Sequence, residues 1–174
     1  MTSDKIGIVV IGRNEGDRLK RCLRSIPVGF QVVYVDSGSS DGSVDFARST
    51  GGIVVELDDQ RGFTAARARN AGWRRLLEHD PGTNFIQFID GDCEVEAEWF
   101  SKALRAITAD DRLAIVFGRR RERFPEKSIY NRLCDDEWNV PIGIVSACGG
   151  DALVRVTALR EADGYSDDLI AGEE

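Results

Sequence analysis

Asp90 and Asp92, separated only by Gly91, bring two carboxylates to bear on nearly one point. Anionic groups this close repel each other unless positive charge lies between them. A hard divalent cation carrying phosphate oxygens is a natural guest, because Mg2+ is usually held by one or two carboxylates together with substrate phosphates and water. Taken alone, Asp-Gly-Asp reads first as a surface turn, since Asp-Gly pairs are ordinary turn formers. Its setting shifts that reading. The triplet ends the apolar run Phe85-Ile86-Gln87-Phe88-Ile89, which has the character of a buried strand whose carboxyl end opens onto a site. Two other apolar runs end the same way: Ile6 to Ile11 in Gly12-Arg13-Asn14-Glu15, and Val32 to Val35 in Asp36.

The elements that must position these residues alternate along the chain. After the Ile6 to Ile11 strand, Leu19, Cys22, Leu23 and Ile26 recur at helical spacing, and Pro27 and Gly29 close that helix. A polar loop, Ser37 to Gly42, follows the second strand; in it Asp41 serves equally as a cap for the helix Val44 to Ser49 or as a ligand contact. Ile53 to Leu57 is a third strand, a helix rich in alanine and arginine lies between Arg61 and Leu77, and Phe85 to Ile89 is the fourth strand. The β-α-β-α-β order is the signature of an α/β fold with a parallel sheet and right-handed crossovers. Parallel strands share one carboxyl edge, and open sheets bind ligands there, so the acids at the three strand ends converge on one crevice. That convergence favours a site over a turn.

Beyond Phe88 the pattern is looser. Trp99, Phe100, Ala103, Leu104 and Ile107 form a helical stripe, and Leu113 to Phe117 a fifth strand. Arg119-Arg120-Arg121-Glu122-Arg123 reads either as a local anion patch or as a solvated strand end. The structure around Asp135-Asp136-Glu137-Trp138 is left open. Ile142 to Val145 is read as a short strand, Cys148-Gly149-Gly150-Asp151 as a close approach of backbone to a neighbour, and Leu153 to Val156 as a strand leading into a helix from Ala158 to Ala162.

Composition narrows the function classes. At 174 residues, 42% apolar and 30% charged, the chain is long enough for one core. A net charge of −7 argues against a general nucleic-acid or membrane-surface binder. Four scattered cysteines and a single histidine, His79, argue against a zinc site and for reduced thiols in the cytoplasm. No stretch has the length of a transmembrane helix, and the N-terminus lacks the apolar run of a signal peptide. Attachment at the inner face of a membrane would therefore lie outside this chain or on a partner. Neither Gly-x-Gly-x-x-Gly nor Gly-x-x-x-x-Gly-Lys-Ser/Thr is present. What remains is a nucleotide held by strand-end carboxylates, with its diphosphate neutralised by a metal on Asp92.

Val9-Val10-Ile11-Gly12-Arg13-Asn14-Glu15, Val33-Tyr34-Val35-Asp36-Ser37-Gly38-Ser39-Ser40-Asp41-Gly42, Ala68-Arg69-Asn70-Ala71-Gly72 and Phe88-Ile89-Asp90-Gly91-Asp92 resemble, in order and spacing, the successive motifs of family 2 glycosyltransferases. The likeness continues through Gly149 to Arg155 and into Gly164-Tyr165 and Gly172-Glu173-Glu174. It implies a GT-A (Rossmann-like) three-layer α/β/α sandwich around a mostly parallel mixed sheet. It also implies a single domain over residues 1–174, cut short before the acceptor-binding helices of longer members. Ile11, Arg13, Glu15, Asp36, Arg69 and Asp90 are then expected to hold a nucleoside-diphosphate sugar, with Asp92 and Asp90 binding Mn2+ or Mg2+. The second acid of Glu173-Glu174 stands where the family has its catalytic base, which places that role on Glu174. The implied reaction is inverting transfer of the sugar to a carbohydrate, lipid-linked or other hydroxyl acceptor. Two departures stand out: Ser37 occupies a position where many members have a second acid, and Glu replaces Asp at 174. The alternatives are a nucleotide-sugar-binding module without catalysis and, in the same broad fold, a sugar nucleotidyltransferase.

Overall fold

The computed structural model describes residues 4–58, 62–145 and 147–167. Strand β1 (Ile6–Gly12) shows why this chain needs two covering layers. Ile8 and Val10 pack into one apolar cluster and Val9 and Ile11 into the other, so both faces of the strand are buried. Successive side chains on a strand point to opposite faces, and a strand apolar on both must be sandwiched. On one face lie α1 (Asp17–Ser25), α2 (Ser43–Ser49) and α4 (Trp99–Ala109), which contribute Leu19, Cys22, Ala47, Phe100 and Ile107. On the other lie α3 (Ala65–His79) and α6 (Val156–Glu161), contributing Trp73, Leu76, Leu77 and Leu159.

The small residues of α3 set its distance from the sheet. A Cβ on Gly72 would stand 2.3 Å from Cγ1 of Val9, and one on Gly7 would stand 2.5 Å from Cδ1 of Leu76. Helix and sheet are thus in contact at backbone level, with no room for a methyl group at either place.

With β2 (Gln31–Asp36), β3 (Ile53–Glu56), β4 (Phe85–Asp90), β5 (Ile115–Phe117) and β6 (Ala152–Arg155), the sheet has the order β3-β2-β1-β4-β6-β5. The first four strands run parallel; β6 is antiparallel to both β4 and β5. After β1 the chain builds outward through β2 and β3, then returns to place β4 on the other side of β1. The order reverses between β1 and β4, and open sheets of this kind bind ligands at such a reversal, outside the carboxyl ends.

The four parallel strands and their helices agree with the sequence reading, whereas the later part departs from it. Residues 142–145 form no strand: Pro141 lacks a donor, Gly143 has φ 139°, and Ile142 and Ile144 are exposed instead of pairing with the sheet. Val156 opens α6 and does not end β6. The region around Asp135 is helical, α5 (Ile129–Glu137), following a short 3-10 turn at Pro125–Lys127. Its signal is the cap: the Ser128 hydroxyl accepts from the Asn131 amide at 3.1 Å. The only buried residue of α5 is Asp135, while Ile129, Tyr130 and Leu133 are exposed. At 100° per residue those three lie on the arc opposite Asp135, so the apolar face of this helix is turned away from the domain.

Candidate active site

Register brings the predicted residues side by side. Gly12 pairs with Asp36 across β1 and β2, and Ile11 pairs with Asp90 across β1 and β4. The antiparallel run of β6 adds a residue the sequence reading did not assign to the site: Asp151, just before β6, lies at the carboxyl edge of β4. Its Oδ1 accepts from the Asp90 amide at 2.8 Å.

Asp90 is the electrostatic centre. Nη2 of Arg69 donates to its Oδ1 at 3.0 Å, and Nη2 of Arg120 reaches its Oδ2 at 3.3 Å. The same Arg120 nitrogen lies 2.5 Å from Oδ2 of Asp151. Burial, then the Asp151 charge, push the Asp90 carboxyl up to about 6 despite the two guanidiniums. Asp92 is exposed, and the Cys93 thiol donates weakly to its Oδ1 at 3.5 Å. Gly91 between them is a steric requirement: its amide donates to the Ile11 carbonyl at 2.7 Å, and a Cβ there would stand 2.9 Å from that oxygen. Ile11 therefore joins the site through its backbone.

The loops after β1 and β2 are locked together. Asn14, at φ 55°, donates its amide to the Ser39 hydroxyl at 2.8 Å and accepts from the Ser40 amide at 2.8 Å. Asp36 is 2% exposed; Oδ1 accepts from the Tyr34 hydroxyl, and Oδ2 from the amides of Gly38 and Ser39 at 2.9 and 2.7 Å. Its carboxylate organises the loop that the sequence reading gave to the nucleoside. Burial raises the Glu15 carboxyl in spite of Arg18 at 2.7 Å, and the Asp92 charge adds to that rise. The Arg13 guanidinium lies over the Phe63 ring, 5.1 Å from its centroid, and a Cβ on Gly38 would touch that ring at 2.9 Å. Oδ1 of Asp41 accepts from the Ser43 amide at 3.0 Å, at the first residue of α2, whose N-cap position is Gly42.

Asn70, within Ala68-Arg69-Asn70-Ala71-Gly72, ties two segments together. Its amide donates to the Tyr165 carbonyl and to Oδ1 of Asp167, each at 2.7 Å, and its oxygen accepts from the Tyr165 amide and from Nε1 of Trp73. Helix α3 is thereby fastened to segment 164–167. Glu174, the expected base, lies outside the described residues.

The donor set suits a hard cation: carboxylate oxygens at Asp90 and Asp92, with Asp151 alongside and a guanidinium already drawn between Asp90 and Asp151. Among the described residues, no three or more His, Cys, Asp or Glu side chains come together as a ready metal cage. A metal on these acids would complete its shell from phosphate and water. Arg120 and Asp151 were visible in sequence only as a basic cluster with two readings and as a glycine-flanked acid. Nothing in their spacing pairs them, because β5 and β6 come together only in the sheet.

A mostly parallel six-stranded sheet between two helical layers, with an Asp-Gly-Asp turn at its reversal, is the glycosyltransferase A class of fold. Residues 7–161 match the family pattern of glycosyl transferase family 2, and the chain belongs to that family. Glycosyltransferase AglE of Haloferax volcanii is 29% identical over 114 residues, which cover 59% of this chain and 35% of that protein. Among solved structures, the mannosyltransferase PcManGT of Pyrobaculum calidifontis, in complex with GDP-Man and Mn2+, superposes with a TM-score of 0.71 at 23% identity, covering 97% of this chain and 49% of its own. S. aureus TarS 1-349 gives 0.66 at 18% identity, covering 97% and 52%. The chain thus spans about half the length of these structural relatives and a smaller share of AglE. No helix of the described residues is long and apolar enough to cross a membrane.

Proposed function

We propose that this domain binds a nucleoside-diphosphate sugar together with Mn2+ or Mg2+ and transfers the sugar, with inversion, to a hydroxyl acceptor. One observation carries the reading: Gly12 pairs with Asp36 and Ile11 with Asp90, so three adjacent strands end together at the reversal of the sheet of a family 2 chain. PcManGT has been crystallised with GDP-Man and Mn2+ and TarS with UDP, which supports a donor of this chemical class.

Each residue then has a task. The Asn14 and Asp36 loops, locked by Ser39, form the wall for the nucleoside; Asp36 acts through the loop amides it holds, and Arg13 over Phe63 borders that wall. Asp92, exposed, and Asp90 are the metal-facing carboxylates, while Arg69 keeps Asp90 oriented. A bound divalent cation supplies charge neutralisation for the departing diphosphate. Glu174 accepts the proton of the acceptor hydroxyl as that oxygen attacks the anomeric carbon and the diphosphate leaves. A single displacement of this kind inverts the centre.

Calorimetry of UDP and GDP with Mn2+, repeated in EDTA, tests the donor site. Binding should depend on the metal, and Asp92→Asn should abolish that dependence while leaving the metal-free component unchanged. Metal-dependent affinity undiminished in Asp92→Asn would remove Asp92 from the site. For the base, Glu174→Gln should suppress transfer and leave donor affinity as it was.

A further inference from the structure

We propose that Arg120 is a diphosphate-binding residue of the donor site, held as the counter-cation of Asp90 and Asp151; the inference rests on the donor reading above. Three observations lead to it. First, one nitrogen of Arg120 contacts both acids, 2.5 Å from Asp151 and 3.3 Å from Asp90. It stands where the mutual repulsion of these carboxylates would otherwise be worst. Second, Asp90 does not depend on Arg120 for its position. Arg69, 3% exposed and carried on α3, already binds its other oxygen, and the Asp90 backbone is tied to Asp151. Third, Arg120 is the more accessible of the two arginines, at 29% side-chain exposure, and comes from the segment leaving β5. There its guanidinium rests against the Trp138 ring, 5.3 Å from the centroid, and not within the packed core.

A divalent cation drawn to the facing oxygens of Asp90 and Asp151 competes with the Arg120 guanidinium for the same negative charge. Entry of a metal-bearing diphosphate therefore weakens the hold of Asp90 and Asp151 on Arg120. The loosened side chain needs an anionic partner, and the diphosphate is the anion that arrives with the metal. A planar guanidinium is well suited to that exchange, because it presents paired donors to either a carboxylate or a phosphate. Trp138 offers it a surface along which to turn without losing its aromatic contact.

This account predicts effects of opposite sign from one substitution. In Arg120→Met, Mn2+ added without nucleotide should bind more tightly, since its competitor is gone; electron paramagnetic resonance titration reads this directly. With Mn2+ saturating, UDP and GDP should bind that variant about tenfold more weakly, the scale of one charge-assisted hydrogen bond. Arg120→Lys keeps the charge without the fork: it should recover part of the nucleotide affinity and still bind Mn2+ alone more tightly than the parent. It carries both comparisons should the methionine variant melt early. A residue that merely braced the loop would weaken both ligands or neither. Mn2+ affinity that is unchanged or lower in the variants, or nucleotide affinity that is unchanged, overturns the role of Arg120. A parent protein that binds neither Mn2+ nor either nucleotide overturns the donor reading itself, a result distinct from the others.

Discussion

The two sides of the crevice are built differently. On the side of β1, β2 and β4, every strand is covered on both faces, α3 touches the sheet at Gly72 and Gly7 without a methyl group between them, and Asp36 is buried with all its acceptors engaged. On the side of residues 119–145, most contacts are polar. Arg119 and Arg121 converge on Asp135, Arg123 pairs with Glu94, and α5 turns Ile129, Tyr130 and Leu133 to solvent. The first side is held by close packing; the second is held by ion pairs. Asp90 belongs to the packed side, and Arg120, which contacts it, belongs to the other.

Removing a large ring from the packed side should give the greatest loss. Phe88, fully buried and set edge-on to Tyr165 at 5.3 Å, is such a ring, and Phe88→Ala should cost about 3–5 kcal/mol in urea unfolding. A loss under 1 kcal/mol would mean that the packed side relaxes as freely as the other.

Asn70→Ala comes next. It removes both donors that hold Tyr165 and Asp167 and strands the Tyr165 amide and Trp73 Nε1, for an expected cost of about 2–3 kcal/mol. Hydrogen exchange should show the amide of Tyr165 exposed before the β1 and β4 amides. Protection at Tyr165 equal to the parent would detach Asn70 from this role.

A smaller effect is expected at Asp135, and it carries a pH signature. The hydrogen bond from Arg121 and that from the Glu122 amide hold its carboxyl below the usual range. A carboxyl lowered in the folded state stabilises above its unfolded value and loses that contribution as pH falls through the folded one. Acidification below about pH 4 should therefore loosen residues 119–137 first, and Asp135→Asn should produce the same loosening at neutral pH. Amide exchange in α5 that does not change between pH 7 and pH 3 would contradict this. The smallest effect belongs to Ile129→Ser, on the exposed face of α5: stability should stay within about 0.5 kcal/mol of the parent, and a larger loss in thermal melting would show that face to be packed.

Much of the packed side could be read from the chain itself. Ile6 to Ile11, Val32 to Val35 and Phe85 to Ile89 are apolar at every position but Gly7 and Gln87, which forces burial on both faces, and parallel strands with short crossovers must present their carboxyl ends together. Asn14, Glu15, Asp36, Asp90 and Asp92 follow from that alone, because strand ends are local in sequence. The exposed side was harder to read. Ile142 to Val145 has a strand's composition but follows a proline and finds no edge to pair with, and α5 buries an aspartate where a helix of this kind would bury its leucine.

By itself, then, the sequence determined the alternation of strands and helices, the shared edge and the carboxylates placed on it, since hydrophobic period and turn chemistry act over a few residues. Only the tertiary structure decided that Asp151 meets the Asp90 amide and that Arg120 lies between the two acids. Those contacts join residues far apart in the chain. They depend on the antiparallel entry of β6 beside β4, and pairings between distant strands are settled by the packing of the whole sheet, which no local spacing records.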